Sequence, residues 1–114
     1  MKYALLIFSN EAPERFAQRP EDEQRAIVEE YLAIRQSPGV YAGEQLQPAD
    51  SATTVRVEDG QTLATDGPFP EMKEFFGGLM LLEADNLDEA LEVAARIPAA
   101  RMGGAVEVRP IVER

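Results

Sequence analysis

Cysteine and histidine are both missing from this chain of 114 residues. Without cysteine there is no thiol nucleophile, no disulfide and no thiolate metal site. Without histidine there is no imidazole base and no imidazole ligand. Most hydrolase and zinc-enzyme mechanisms fall with those two residues. Basic side chains are scarce, with 11 Lys and Arg against 21 Asp and Glu, a formal net charge of −10. A nucleic-acid binder needs a basic footprint to displace phosphate counterions, so direct nucleic-acid binding is not expected. An anionic membrane surface is disfavoured for the same reason. The N-terminal apolar run Tyr3 to Phe8 is too short to span a bilayer and lacks a small-residue cleavage site. It reads as a first strand, and a cytoplasmic location is expected. Repeats, low-complexity segments and a glycine-rich phosphate loop are also missing. Asp85, Asp88 and Glu89 are accounted for by a helix start, so neither a metal nor a cofactor is expected.

What is present is enough hydrophobic residue, 45%, to build one core in one domain spanning residues 1–114. Tyr3 to Phe8 suits a strand buried on both faces. Ser9 to Arg19 reads as a loop with one helical turn. Pro20 at the first helical position, followed by Glu21, Asp22 and Glu23, opens a helix. Ile27, Tyr31 and Ile34 form its apolar stripe, widened by Val28 and Leu32, and Ser37-Pro38-Gly39 ends it. Val40 to Glu44 is a second strand. Thr53 to Val57 and Thr62 to Thr65 alternate around Asp59-Gly60, a short-range hairpin signal. Gly77 to Glu83 is another doubly apolar strand. Asn86 to Glu89 has the form of a capping box for a helix whose apolar face is Leu87, Ala90, Leu91 and Ala94. Ala105 to Val112 closes the chain as an outer strand, because Pro110 could not donate in a central one.

The order is βαββαβ with an extra hairpin: an α+β, ferredoxin-like antiparallel sheet with helices on one face. Two strands are apolar on both faces, yet two helices cover only one face. A second copy packed sheet to sheet, a homodimer, is the expected cover.

Thr65-Asp66-Gly67-Pro68-Phe69, followed by Lys73-Glu74 and Gly77-Gly78, is denser in turn residues than a plain connection needs. Together with Met1 to Ile7, Thr53-Thr54-Val55-Arg56, Asp59-Gly60, Asp88-Glu89-Ala90, Pro98 to Arg101 and Val106 to Pro110, this ordered series resembles the YCII-related family, in its DGPF-domain branch. The resemblance covers nearly the whole chain. It implies a dimeric α+β barrel with a cleft near the dimer interface. It also implies kinship with enzymes acting on small ring compounds, a dehydrochlorinase among them, and an association with alternative sigma factors. A histidine–aspartate pair is the proposed active site in parts of the family. This chain matches the aspartate at Asp66 and has no histidine.

Each candidate site residue has two readings. Asp66 could be a general acid or base in an interfacial cleft, or an Asx-type turn former bonded to nearby backbone N–H groups. The structural role stands slightly ahead. Phe69 reads as the loop's anchor in the core. Lys73 could hold a substrate carboxylate or enolate-like charge, or join Glu74 in a surface pair worth little. Gly77 and Gly78 could let a ligand approach backbone N–H groups, or mark a bulge or close strand contact. Ser9 and Glu44 could line a cleft at the strand ends. Two functional classes follow. One is a cofactor-free, small-molecule-binding or regulatory homodimer. The other is a lyase or isomerase of small cyclic or carbonyl compounds, dehydrochlorinase-like, with Asp66 moving the proton. The missing histidine favours the first.

Overall fold

The computed structural model describes residues 1–68 and 75–114. Six strands alternate with helices: β1 (Lys2–Ser9), α1 (Pro13–Ala17), α2 (Glu21–Arg35), β2 (Val40–Gln45), β3 (Thr53–Glu58), β4 (Gln61–Asp66), β5 (Phe75–Glu83), α3 (Leu87–Arg96), α4 (Pro98–Arg101) and β6 (Ala105–Pro110). A 3₁₀ turn, Ala49–Ser51, precedes β3. The main sheet runs β2-β5-β1-β6, every neighbour antiparallel. With β3 and β4 set aside, this is the expected βαββαβ order. Pro110 ends an edge strand, where its missing N–H costs no ladder bond.

Alternation along the central strands sorts their side chains. Tyr3, Leu5 and Ile7 of β1 and Met80 and Leu82 of β5 are buried beneath the helices. There they pack with Ile34 of α2, Ala90 and Ala94 of α3, and Ile97 and Ala99 beside α4. Helices α2, α3 and α4 therefore lie on one face. The small alanines let α3 approach the sheet closely, and no polar side chain is buried among the described residues.

Local signals explain the element ends. The Asn86 Oδ1 accepts the Glu89 N–H at 3.0 Å, as a helix cap should. The Glu89 carboxylate reaches back one residue further than a capping box requires, accepting the Asp85 N–H at 3.0 Å. Pro20 sits at the cap of α2 rather than at its first helical position. The apolar stripes are narrower than expected: Val28 and Leu32 stay 47% and 51% exposed, and Leu87 and Leu91 are exposed too. A single layer of helix on sheet touches each helix along one line, here Ile27 and Ile34 on α2. Positions one step round the cylinder are left in water.

The hairpin forms as its Asp-Gly signal predicts, with φ of 51° at Asp59 and 77° at Gly60. It joins no strand of the main sheet and stands as a separate two-stranded unit.

Candidate functional site

On the face of the sheet opposite the helices no helix packs among the described residues, and its central side chains are half-buried. Cross-strand partners share a face, so the register writes out its rows. Glu44, Leu79, Leu6 and Glu107 form one, and Ala42, Leu81, Ala4 and Arg109 the next. At one end Phe8 stands opposite Phe76, their ring centroids 5.3 Å apart at a 36° tilt. Such an aromatic pair adds apolar surface to that end of the face. At the other end the Lys2 ammonium lies 5.7 Å from the centre of the Tyr41 ring. The face is thus aliphatic and aromatic along β1 and β5, with charges on the two edge strands.

Four of the sequence-predicted residues, Ser9, Glu44, Gly77 and Gly78, gather at the end of the sheet where β1 and β2 finish and β5 begins. Ser9, the last residue of β1, pairs in register with Phe75. Its hydroxyl is engaged locally, donating to the Glu11 carbonyl at 3.3 Å and accepting the Glu11 N–H at 3.2 Å. Glu44 lies on the open face opposite Leu79, with one carboxylate oxygen 3.7 Å from an Arg35 guanidinium nitrogen. Gly78 is a close-contact glycine, since a Cβ there would stand 2.7 Å from the Glu44 carbonyl oxygen. Gly77 occupies the register shift between β1 and β5, and its carbonyl accepts the Leu46 N–H at 2.8 Å. A bulge and a close strand approach therefore account for the glycine pair.

Asp66 closes β4 opposite Thr53 and is exposed. The connection is held by other groups: Gly67 donates its N–H to the Ala52 carbonyl at 2.7 Å, and the Thr54 hydroxyl donates to the Gly67 carbonyl at 2.7 Å. No hydrogen bond or ion pair engages the Asp66 carboxylate among the described residues. Phe69, Lys73 and Glu74 lie outside the described residues.

Electrostatic perturbation is found on the helical side. Arg101 grips Glu30 through two hydrogen bonds of 2.7 Å. That bond holds the Glu30 carboxyl below its usual range and raises Arg101. Burial raises the Tyr31 phenol, opposed by a backbone hydrogen bond at Ala99 and by Arg101. A groove of about 340 Å³ runs here past Glu30, Ala33, Ile34, Arg96 and Arg101. Arg19 likewise holds Glu11 at 2.7 Å and also pairs with Glu23, lowering Glu11. Both clusters are surface ion pairs, the first joining α2 to α4 and the second the segments flanking α1 to α2, which is a structural use of charge. Among the described residues no group of acids is placed to hold a metal, and no helix is long and apolar enough to cross a membrane.

Sequence reasoning anticipated the uncovered face from the doubly apolar strands. It missed the Phe8–Phe76 pair, because the bulge at Gly77 shifts residues between faces. Such shifts interrupt the alternation from which facing is read.

Fold and face together define a small antiparallel α+β domain with one sheet face left apolar and open. The chain belongs to the YCII-related family, whose domain matches residues 1–114. It is 36% identical over 117 residues to an uncharacterised protein of Rhizobium meliloti (strain 1021), covering 97% of this chain and 92% of that one. Its fold is similar to that of 5-chloro-2-hydroxyhydroquinone dehydrochlorinase from Burkholderia phenoliruptrix AC1100, solved in complex with 2,5-dihydroxybenzoquinone. The TM-score is 0.51 at 17% identity, over 100% of this chain and 96% of the other.

Proposed function

We propose that this protein is a cytoplasmic, cofactor-independent homodimer that binds a small ring compound at the open face of its sheet and serves a regulatory role. The observation that carries this reading is the open face itself, with Leu6, Phe8, Phe76, Leu79 and Leu81 turned away from the helices. A second copy laid against that face would exclude water from it. The tilted ring pair of Phe8 and Phe76 offers an aromatic contact for a ring compound, and the charged edge strands suit its polar substituents. The sigma-factor association implied by the family resemblance would supply the regulatory partner.

The test is a thermal-shift and calorimetric screen with phenols, lactones, small carboxylic acids and 2,5-dihydroxybenzoquinone. Saturable binding by the wild type, weakened at least tenfold in Phe76→Leu, is the expected result. Binding unchanged in Phe76→Leu would move the ligand elsewhere.

A second reading is a lyase or isomerase of small cyclic or carbonyl compounds. It is favoured by the Asp66 carboxylate, which no hydrogen bond engages among the described residues. Lys73 would hold the negative charge that develops on the substrate. A chlorinated hydroxyhydroquinone supplies the assay, read as chloride release. The enzyme reading expects turnover that drops by about a hundredfold or more in Asp66→Asn. No chloride release by the wild type leaves the binding reading alone.

A further inference from the structure

Among the described residues the β3–β4 hairpin joins no strand of the main sheet. Its two strands pair with each other, and Val55 and Val57 are 59% and 66% exposed. A two-stranded hairpin without a third strand or a helix against it is at best marginally stable in water. The register places Thr53, Val55 and Val57 on one face with Asp66, Ala64 and Thr62. One side of the hairpin is therefore an apolar strip, Val55–Val57–Ala64, with Asp66 at its base.

The dimensions of the whole chain are those of a molecule with much unburied surface. Its radius of gyration is 16.0 Å, against roughly 13 Å for a compact chain of this length. It exposes 8192 Å², about 2,000 Å² more than a compact protein of its mass. A stable interface takes about 800 Å² from each partner. The hairpin's six-residue strands extend about 20 Å, enough to cross a four-stranded sheet.

We propose that the β3–β4 hairpin is a clasping arm: it lies on a second copy of this chain, with the Val55–Val57–Ala64 strip against the partner's open sheet face. The contact is reciprocal in a two-fold dimer, so each open face is roofed by the other copy's arm. Asp66, on the same side of the arm, is thereby carried to the boundary between the copies. The proposal rests on the homodimer of the preceding section and adds the element that closes it.

The full-length protein tests it. Native cysteine is absent, so Val57→Cys accepts a single spin label at the strip. Sedimentation equilibrium is run on the wild type and on Val55→Asp/Val57→Asp, with Val55→Ser/Val57→Ser as a milder pair should the first fail to fold. The expected result is a wild-type dimer whose dissociation constant rises at least tenfold in a folded variant. The label is also expected to become immobilised as concentration rises through the dimerisation range. A wild-type monomer would overturn the dimer and the arm together. A variant that dimerises as tightly as the wild type would overturn the arm alone. So would a label that stays mobile in the dimer. A label immobilised at all concentrations would mean that the arm folds onto its own body, also against the proposal.

Discussion

At the scale of single residues, Gly77 and Gly78 separate two uses of the same amino acid. Gly78 is needed because strand β2 passes too near for a side chain, the Glu44 carbonyl lying 2.7 Å from where a Cβ would be. Gly77 has only the Ile7 carbonyl oxygen within reach, at 3.9 Å. Gly78→Ala is therefore expected to lose about 1–3 kcal/mol, the usual cost of forcing volume into a packed site. Gly77→Ala should change stability by less than about 1 kcal/mol, since reduced freedom of the unfolded chain works in its favour. Urea unfolding of both variants checks the contrast, and equal losses would contradict this reading of the pair. Asp66 shows the limit of residue-level reasoning. Its sequence context suggested an Asx turn, yet the turn is held by Thr54 and by Gly67 with Ala52. The carboxylate is left exposed at the end of a strand.

At the scale of elements, the cap of α3 was legible from Asn86 and Glu89 alone, since both groups have their partners within a turn. Asn86→Ala should cost about 1 kcal/mol, read as a lower midpoint in thermal or urea unfolding. Strands β1, β2, β5 and β6, the Asp59-Gly60 turn and the edge position of Pro110 were equally legible, because local alternation and turn chemistry decide them. The width of the helix stripes was not. Leu32 and Leu91 share a helical face pattern with buried neighbours, and only the placement of helix on sheet leaves them in water. The separation of the hairpin from the main sheet was also hidden, because pairing partners are non-local. The ion pairs joining elements were beyond reach for the same reason: Glu30 and Arg101 are 71 residues apart. Their effect has a definite sign. Glu11 and Glu30 bind protons less readily when folded than when unfolded. Their contribution is present above the ordinary glutamate range and fades as pH falls through the lowered folded values. Stability should therefore fall on acidification below pH about 4.5. Glu30→Gln should narrow the difference in unfolding midpoint between neutral and acidic solution. An unchanged difference would show that solvent screens the Arg101 pair completely.

At the scale of the whole molecule, shape and charge pull in opposite directions. The chain is a slab of 45 × 44 × 19 Å with one apolar broad face, which favours pairing. Each copy also carries a formal −10, which opposes it. The proposed interface settles which term salt should reveal. Leu6, Leu79, Leu81 and the Val55–Val57–Ala64 strip carry no charge, so apolar burial in the dimer is not weakened by ions. The long-range repulsion between two acidic bodies is screened, as the Debye length shrinks from about 10 Å at 0.1 M salt to about 3 Å at 1 M. The rim works the other way, because Lys2 and Arg109 stand near the same face as Glu44 and Glu107. Exposed rim pairs are worth little, about 0–1 kcal/mol each, whereas the net charge acts between the copies as a whole. Dimerisation should thus tighten as sodium chloride rises, by about threefold or more over a tenfold increase in salt. Sedimentation equilibrium at low and high salt measures this directly. A dimer that loosens with salt would mean that ion pairs, not the apolar sheet face and arm, hold the two copies together.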